Sequence, residues 1–502
     1  MAGRLATLAG QLLPRPVAGG AEAAVADWPP APPNRPFAGF ESPTGRQYPR
    51  GTVAALMGNM EPTMEESAGA LCLIHGALPA DLDGCYIRGG PNPTLNQFGS
   101  PTYHEFEGDG LMHACDLKEG SGSYRSRYIS TRRRCIEQQR GKKIGIMEAA
   151  QKDGTLLGQA NTSLVYHANK LLALYEVDKP YVISPADMST EGQLTYDGRL
   201  KHSVTAHPKV CPDTGELVFF GYDMFAPMLH YGLADKEGNL VRSFDVPTQG
   251  KKPVMMHDMA ITSRYSLLLE FPLYFDPKRA KEGNVPYVQD DASPTHFGIL
   301  RRHAESAGEV RWFTGASAMS FHNANAWEDG DDVITLVGCR FEHFSFDYSK
   351  SSPSVLHEWK FDLKTGTTAE RQLGDHHVEF PIVHPNLVGK RNRYVWASTF
   401  AGTGLPFHSI NGVMKYDLQT GRELRHDFIG GRWGGESVFA PSKIGEEDSG
   451  YLLTYTYNPQ NATTELYIVD ARTMDPNPVA ILQTPTRVPF GFHGVWLSRD
   501  KL

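Results

Sequence analysis

From Gly84 onward the chain is punctuated by short turn signals, spaced too closely for long helices to fit between them. They read KEGSG from Lys118, PDTGE from Pro212, DKEGN from Asp235, EDGDD from Glu328, LKTGT from Leu363 and LQTGR from Leu418. Between them lie runs such as LLALYEV, ELVFFGYD, DVITLVGCRF, RYVWASTF, YLLTYTY and TELYIVDA, rich in the branched and aromatic residues that suit a pleated sheet. No long segment keeps a helical period. The 50 glycines and 35 prolines agree with many tight turns, and 40% hydrophobic residues suffice for a large core.

The region from Pro79 to Leu502, about 420 residues, matches seven four-stranded blades of roughly 60 residues each. A pair of β-sandwiches is the competing architecture. In a propeller the strand ends of different blades converge on one axis, so residues far apart in sequence can meet there. The expected organisation is one propeller domain over 46–502, after a leader over 1–45 that is disordered or a weak transit peptide.

The net charge of −8, with no long basic run, argues against nucleic acid as a partner. The Arg132-Arg133-Arg134 cluster reads as a solvated strand end. No apolar run reaches the ~18 residues needed to cross a bilayer. Six scattered cysteines without a CxxC pair read as reduced thiols inside a cell. The compartment expected is the cytoplasm, with the plastid as the alternative.

In SVTAHPKV the proline restricts His207 to extended geometry at a strand end. That suits a metal ligand and equally a capping or core histidine. Three more histidines stand in comparable settings: His257 in PVMMHDMAI, His322 in AMSFHNANAWE and His493 in RVPFGFHGVWL. The intervals of 50, 65 and 171 residues approximate one, one and three blades. No HExxH or His-x-His motif is present. Together the four favour a ring of imidazoles around an axial ion over four unrelated core residues.

These settings, with YIRGGPNP, HEFEGDGLMH, NTSLVYHANKLLALYEVDKPY and HVEFPIVHP, closely resemble the carotenoid cleavage dioxygenase family over residues 50 to 500. The resemblance implies an all-β, seven-bladed propeller with an axial metal site and a cap of helices and loops over its top face. It implies one Fe(II) per chain held by His207, His257, His322 and His493, with O2 as co-substrate. It also implies that Glu176, Glu379 and Glu436 accept the outer ring N–H of His257, His322 and His493 respectively. The reaction implied is oxidative cleavage of a C=C bond in a carotenoid or apocarotenoid, giving two carbonyl products, with no side chain as nucleophile or base.

Phe271, Phe321, Phe380, Trp433 and Phe492 are candidates for the wall of an apolar tunnel; ordinary core is the equal alternative for each. Leu267 to Arg279, LLLEFPLYFDPKR, joins apolar residues to a basic end, as a peripheral membrane patch would. Within the family a stilbene cleaver is the first alternative. There the family's phenol-binding lysine corresponds to Arg133 in YISTRRRC, and an arginine can also hold a phenolate. Retinyl-ester isomerohydrolase activity is a second alternative. A non-catalytic propeller serving as an interaction scaffold is the third, and it leaves the four histidines and three glutamates without a purpose.

Overall fold

The computed structural model describes residues 40–41, 47–48, 58–93, 105–144, 146–149, 151, 155–281, 285–402, 408–442 and 445–502. Most of the expected leader lies outside the described residues. Phe40–Glu41 pairs with Gln47–Tyr48 in a short ladder across its expected end.

Seven antiparallel sheets form the blades of a β-propeller. Five are made from strands taken in chain order, running from axis to rim, with a separate hairpin inserted in the fourth. Blade 2 spans Ser163–Gln193, blade 3 Lys209–Pro247, blade 4 Met259–Gly315, blade 5 Asn323–Gln372 and blade 6 Val378–Asp427. The other two blades are closed by strands from the opposite end of the chain. In blade 1 the C-terminal strand Gly494–Ser498 pairs beside Gly84–Asn92 and becomes the innermost strand. In blade 7 the N-terminal strand Cys72–Gly76 is added outside Ala480–Gln483. Each closure covers a sheet edge that would otherwise face solvent, and together they tie the ring shut.

The second strands of the blades are buried on both faces, as in Leu217–Tyr222, because each sheet is packed against its two neighbours. Rim strands alternate instead, as in Leu240–Pro247.

The six turn signals are all tight hairpin turns, and the glycine of each has a φ between 72° and 86°. A side chain at Gly215, φ +72°, would carry the strain of a left-handed backbone and would meet Lys236. Every one of the six joins a first strand to a second or a third to a fourth. All six therefore lie on the same face. The opposite face carries the blade-to-blade connections and the long second-to-third connections, including the hairpin Leu273–Phe275 with Tyr287–Gln289. Those longer connections build the cap.

Two local expectations need correction. The arginine cluster is no strand end: Thr131 accepts from the Arg134 N–H and caps a helix, Arg132–Arg140, which stops at Gly141. The apolar half of Leu267–Arg279 is no surface patch either. Leu267, Leu268 and Leu269 are buried in the second strand of blade 4, and Phe271 and Leu273, which follow it into the hairpin strand Leu273–Phe275, are buried too. All six cysteines are free thiols.

Candidate metal centre

His207, His257, His322 and His493 stand one or two residues ahead of the innermost strands of blades 3, 4, 5 and 1. An innermost strand starts on the capped face beside the axis, so a side chain just before it projects over the central channel. The four rings meet there, with one nitrogen of each within 4.8 Å of the others. The ring of His207 lies 4.4 Å from that of His257 and 4.3 Å from that of His493, centre to centre.

The remaining blades offer carboxylates at the same level. Glu176 follows the second strand of blade 2, Glu379 is in the first strand of blade 6, and Glu436 precedes that of blade 7. Nδ1 of His257 is bonded to Glu176 and Nδ1 of His322 to Glu379. Nδ1 of His493 donates to Glu436 at 2.9 Å, and the Gly494 N–H donates to the other oxygen at 3.1 Å. A carboxylate on Nδ1 fixes the proton there and leaves Nε2 as a bare lone pair.

That tautomer bears on one contact in particular. Nε2 of His257 and Nε2 of His322 face each other at 3.1 Å. Two bare lone pairs at that distance repel. A proton on His257 or a metal ion beside both removes the repulsion, and adjacent nitrogens on metal bonds of about 2.1 Å sit about 3 Å apart, so the spacing fits a metal as well. His207 has no carboxylate, and its Nε2 is buried with no hydrogen-bond partner. An orphaned buried nitrogen aimed at three other imidazoles fits a metal ligand.

The backbone around the site is cross-braced. Asp258, next to His257, accepts from the Asn323 N–H at 2.8 Å and pairs with Lys209 at 2.7 Å. It thus fastens the residues that follow His322 and Pro208 to its own blade. The Thr205 hydroxyl donates to the His257 carbonyl at 2.9 Å. Burial, then the neighbouring imidazoles, holds His207 and His322 well below the usual imidazole range, so both are neutral and able to ligate. Burial pushes Glu379 up to about 8 in the metal-free chain. At His257 burial works downward, but the adjoining Glu176 carboxylate outweighs it and leaves the ring raised.

On its open side the site adjoins a cavity of about 200 Å³ whose wall is mostly apolar. Sequence and fold comparisons agree on its setting. The family described as retinal pigment epithelial membrane protein matches residues 60–498. A carotenoid 9,10(9',10')-cleavage dioxygenase 1 of Arabidopsis thaliana is 36% identical, covering 89% of this chain and 90% of that one. The chain belongs to the carotenoid cleavage dioxygenase family. The crystal structure of a lignostilbene dioxygenase from Pseudomonas brassicacearum superposes with a TM-score of 0.79 at 26% identity, covering 88% of this chain and 97% of that one. A cobalt-substituted apocarotenoid oxygenase from Synechocystis, 24% identical, shares the fold with a TM-score of 0.78 over 89% and 98% of the two chains.

As a carotenoid cleavage dioxygenase family member, the chain has a cavity wall only partly visible in its sequence. Phe321, Phe380 and Phe492 line the cavity beside the histidines. Phe271 does not: its ring packs in the core against Phe297 and Trp359. Trp433 is bridged to Tyr457 in a separate cluster. Arg133 is tied down on its helix by Glu137 at 2.9 Å and the Ile144 carbonyl at 3.0 Å, and does not line the cavity. The sequence reading passed over Thr162, Tyr175, Tyr222, Met224, Met255 and Tyr287. Thr162 stands just before the first strand of blade 2, the position that carries histidine in four other blades, so blade periodicity is the signal that finds it. Tyr222 donates to Glu176 at 2.9 Å and so extends the network around His257.

Proposed function

We propose that this protein cleaves a C=C bond of a carotenoid or apocarotenoid with O2, using one Fe(II) held by His207, His257, His322 and His493. The observation that carries the reading is the four-imidazole cluster opening onto an apolar cavity. Neutral imidazoles suit Fe(II) and leave coordination positions free for O2. The metal, when bound, supplies the activation of O2 that the organic substrate cannot. The chain's own residues do the rest. Glu176, Glu379 and Glu436 orient three rings, while Phe321, Phe380 and Phe492 hold the polyene beside the metal and exclude water.

No Ser/His/Asp arrangement is needed, since no step calls for a protein nucleophile. The anchoring of Arg133 by Glu137 and Ile144 speaks against the stilbene alternative, because its guanidinium is already committed.

The test uses anaerobically purified protein given O2 and, in parallel, β-carotene, an apocarotenal and resveratrol, with metal content measured. About one iron per chain and aldehydes from the polyenes support the proposal. Aldehydes from resveratrol alone promote the stilbene reading, and a metal-free, inert protein ends the enzyme reading.

For delivery of an apolar substrate we also propose contact with a membrane surface. The patch differs from the one first expected. Phe225 and Val288 are exposed and adjoin the cavity residues Met224 and Tyr287 in sequence. Phe225 packs on Phe275, and exposed Lys278 and Lys281 follow. Loss of liposome co-sedimentation in a Phe225→Glu variant tests it. For location we propose the cytoplasm, with the plastid as the alternative; six free thiols suit a reducing compartment, and fractionation of the tagged chain tests it.

A further inference from the structure

We propose that the Arg88 guanidinium is the fixed positive charge that neutralises this metal centre and keeps its metal divalent. The inference rests on reading the four histidines as a divalent-metal site.

Arg88 lies in the second strand of blade 1, directly across from Gly494, and is 2% exposed. Its Nη2 donates to the Pro489 carbonyl, on the loop that leads to His493. Two glycines make room for the head group. A Cβ at Gly491 would stand 2.8 Å from Nε, and one at Gly435 would stand 3.8 Å from Nη1. Gly491 is two residues before His493, and Gly435 adjoins Glu436. The guanidinium is therefore wedged between the two loops that supply the His493–Glu436 pair.

A buried guanidinium is costly unless its charge is used. Among the described residues Arg88 has no carboxylate in ion-pair contact, and its Nε lacks a partner. Its other neighbours carry no compensating charge. The Tyr455 ring faces it at 4.9 Å, and burial keeps the groups around it uncharged: Tyr86 and Tyr124 are pushed up, Cys115 is pushed up to about 12, and His113 is pulled well down. The carboxylate whose field reaches it is Glu436.

The charges of the whole centre explain the arrangement. With a dication bound, which keeps Glu379 ionised, Glu176, Glu379 and Glu436 are three negative charges around it, and the group is left negative by one. Lys209 and Asp258 cancel each other. Arg88 supplies the missing positive charge. Without it the centre would favour a trivalent ion over a divalent one, because each added positive charge on the metal gains from a negative surround.

The test loads metal-free protein with Co(II) against a competing chelator and compares Arg88→Met with Arg88→Lys. The Met variant should bind Co(II) tighter, on the order of tenfold, and the Lys variant within about twofold of the parent. In iron-loaded protein the Met variant should gather the ferric EPR signal faster in air, and Lys should restore the parent rate. Unchanged or weaker Co(II) binding by Arg88→Met overturns the inference and leaves Arg88 a brace for the Pro489 loop. Should the Met variant fail to fold, Arg88→Gln keeps a donor for the Pro489 carbonyl without the charge and takes its place. A parent protein that binds no Co(II) sinks the metal reading itself, and the inference with it; binding without a difference sinks the inference alone.

Discussion

Phe380 lies nearly flat on His322, ring centres 4.7 Å apart and planes 28° from parallel, while its own backbone holds a φ of +54°. In a regular strand, neighbouring side chains point to opposite faces. The first strand of blade 6 breaks register between Glu379 and Ile382. The bulge lets two consecutive residues serve one histidine: Glu379 takes Nδ1 and Phe380 covers the ring face. The left-handed backbone at a bulky residue is the strain that this costs.

A glycine at position 380 should consequently behave unlike glycine elsewhere in a strand. Phe380→Ala loses the ring and keeps the strain; Phe380→Gly loses the ring and relieves the strain, worth about 1 kcal/mol. The Gly variant should melt at or above the Ala variant in thermal unfolding. The reverse order would show that position 380 is unstrained.

Replacing each carboxylate by its amide tests the bracing of the rings. Glu379→Gln, Glu176→Gln and Glu436→Gln should each keep the propeller's circular dichroism and lose about 10- to 100-fold in metal affinity. Glu379, fully buried, should lose most. Glu176 should lose less, being only partly buried, with 14% of its side chain exposed, and shared with Tyr222. Retained metal in all three variants after dialysis against chelator would deny the carboxylates this part.

His207 should separate metal binding from folding. In the metal-free protein its buried Nε2 has no partner, so His207→Leu removes an unsatisfied polar group and should leave the metal-free melting temperature unchanged or higher. The parent should gain about 3 kcal/mol of stability at a metal concentration 100 times its dissociation constant, and the variant should gain nothing. Equal metal-dependent shifts in the two would remove His207 from the ligand set.

What the sequence made legible follows from how local each signal is. The four histidines and three glutamates sit in short motifs at strand ends, and the propeller carries strand ends to its axis whatever the blades contain. The glycine turns were legible for the same reason: each is fixed by its own four or five residues. The closures of blades 1 and 7 were not, since Cys72–Gly76 and Gly494–Ser498 find partners hundreds of residues away. Cavity walls were half legible. Phe321 and Phe492 inherit their aim from adjoining histidines and Phe380 from a bulge, whereas Phe271 resembles them only by its place beside a strand end. Arg88 lies in the YIRGGPNP motif, but its role gave no sign, because a single arginine inside a strand acquires meaning only from the loops that fold over it.

The pH dependence of the metal-free protein should expose Glu379 directly. Burial raises its carboxyl from an ordinary 4.5 to about 8, so between those values the folded chain holds a proton that the unfolded chain has released. Its contribution to stability then falls as pH rises through this window, by about 1.4 kcal/mol per unit well below pH 8 and by roughly 1.7 kcal/mol in all from pH 6.5 to 8. His207 and His322, both depressed, act below the ordinary imidazole value of 6.5, where the unfolded chain takes up protons that the folded one refuses. At pH 6.5 half of the unfolded imidazoles are still protonated, so each opposes the Glu379 slope by about 0.4 kcal/mol up to about pH 7.5 and is silent only above that. His257, raised beside Glu176, works in the same direction as Glu379. In denaturant unfolding in chelator, the parent should lose this amount relative to Glu379→Gln between pH 6.5 and 8, the histidine contributions being common to both. Saturating metal should flatten the profile in the parent, because a dication at the four imidazoles keeps the carboxylate ionised. Parallel profiles for the parent and Glu379→Gln would place the titrating group outside the centre.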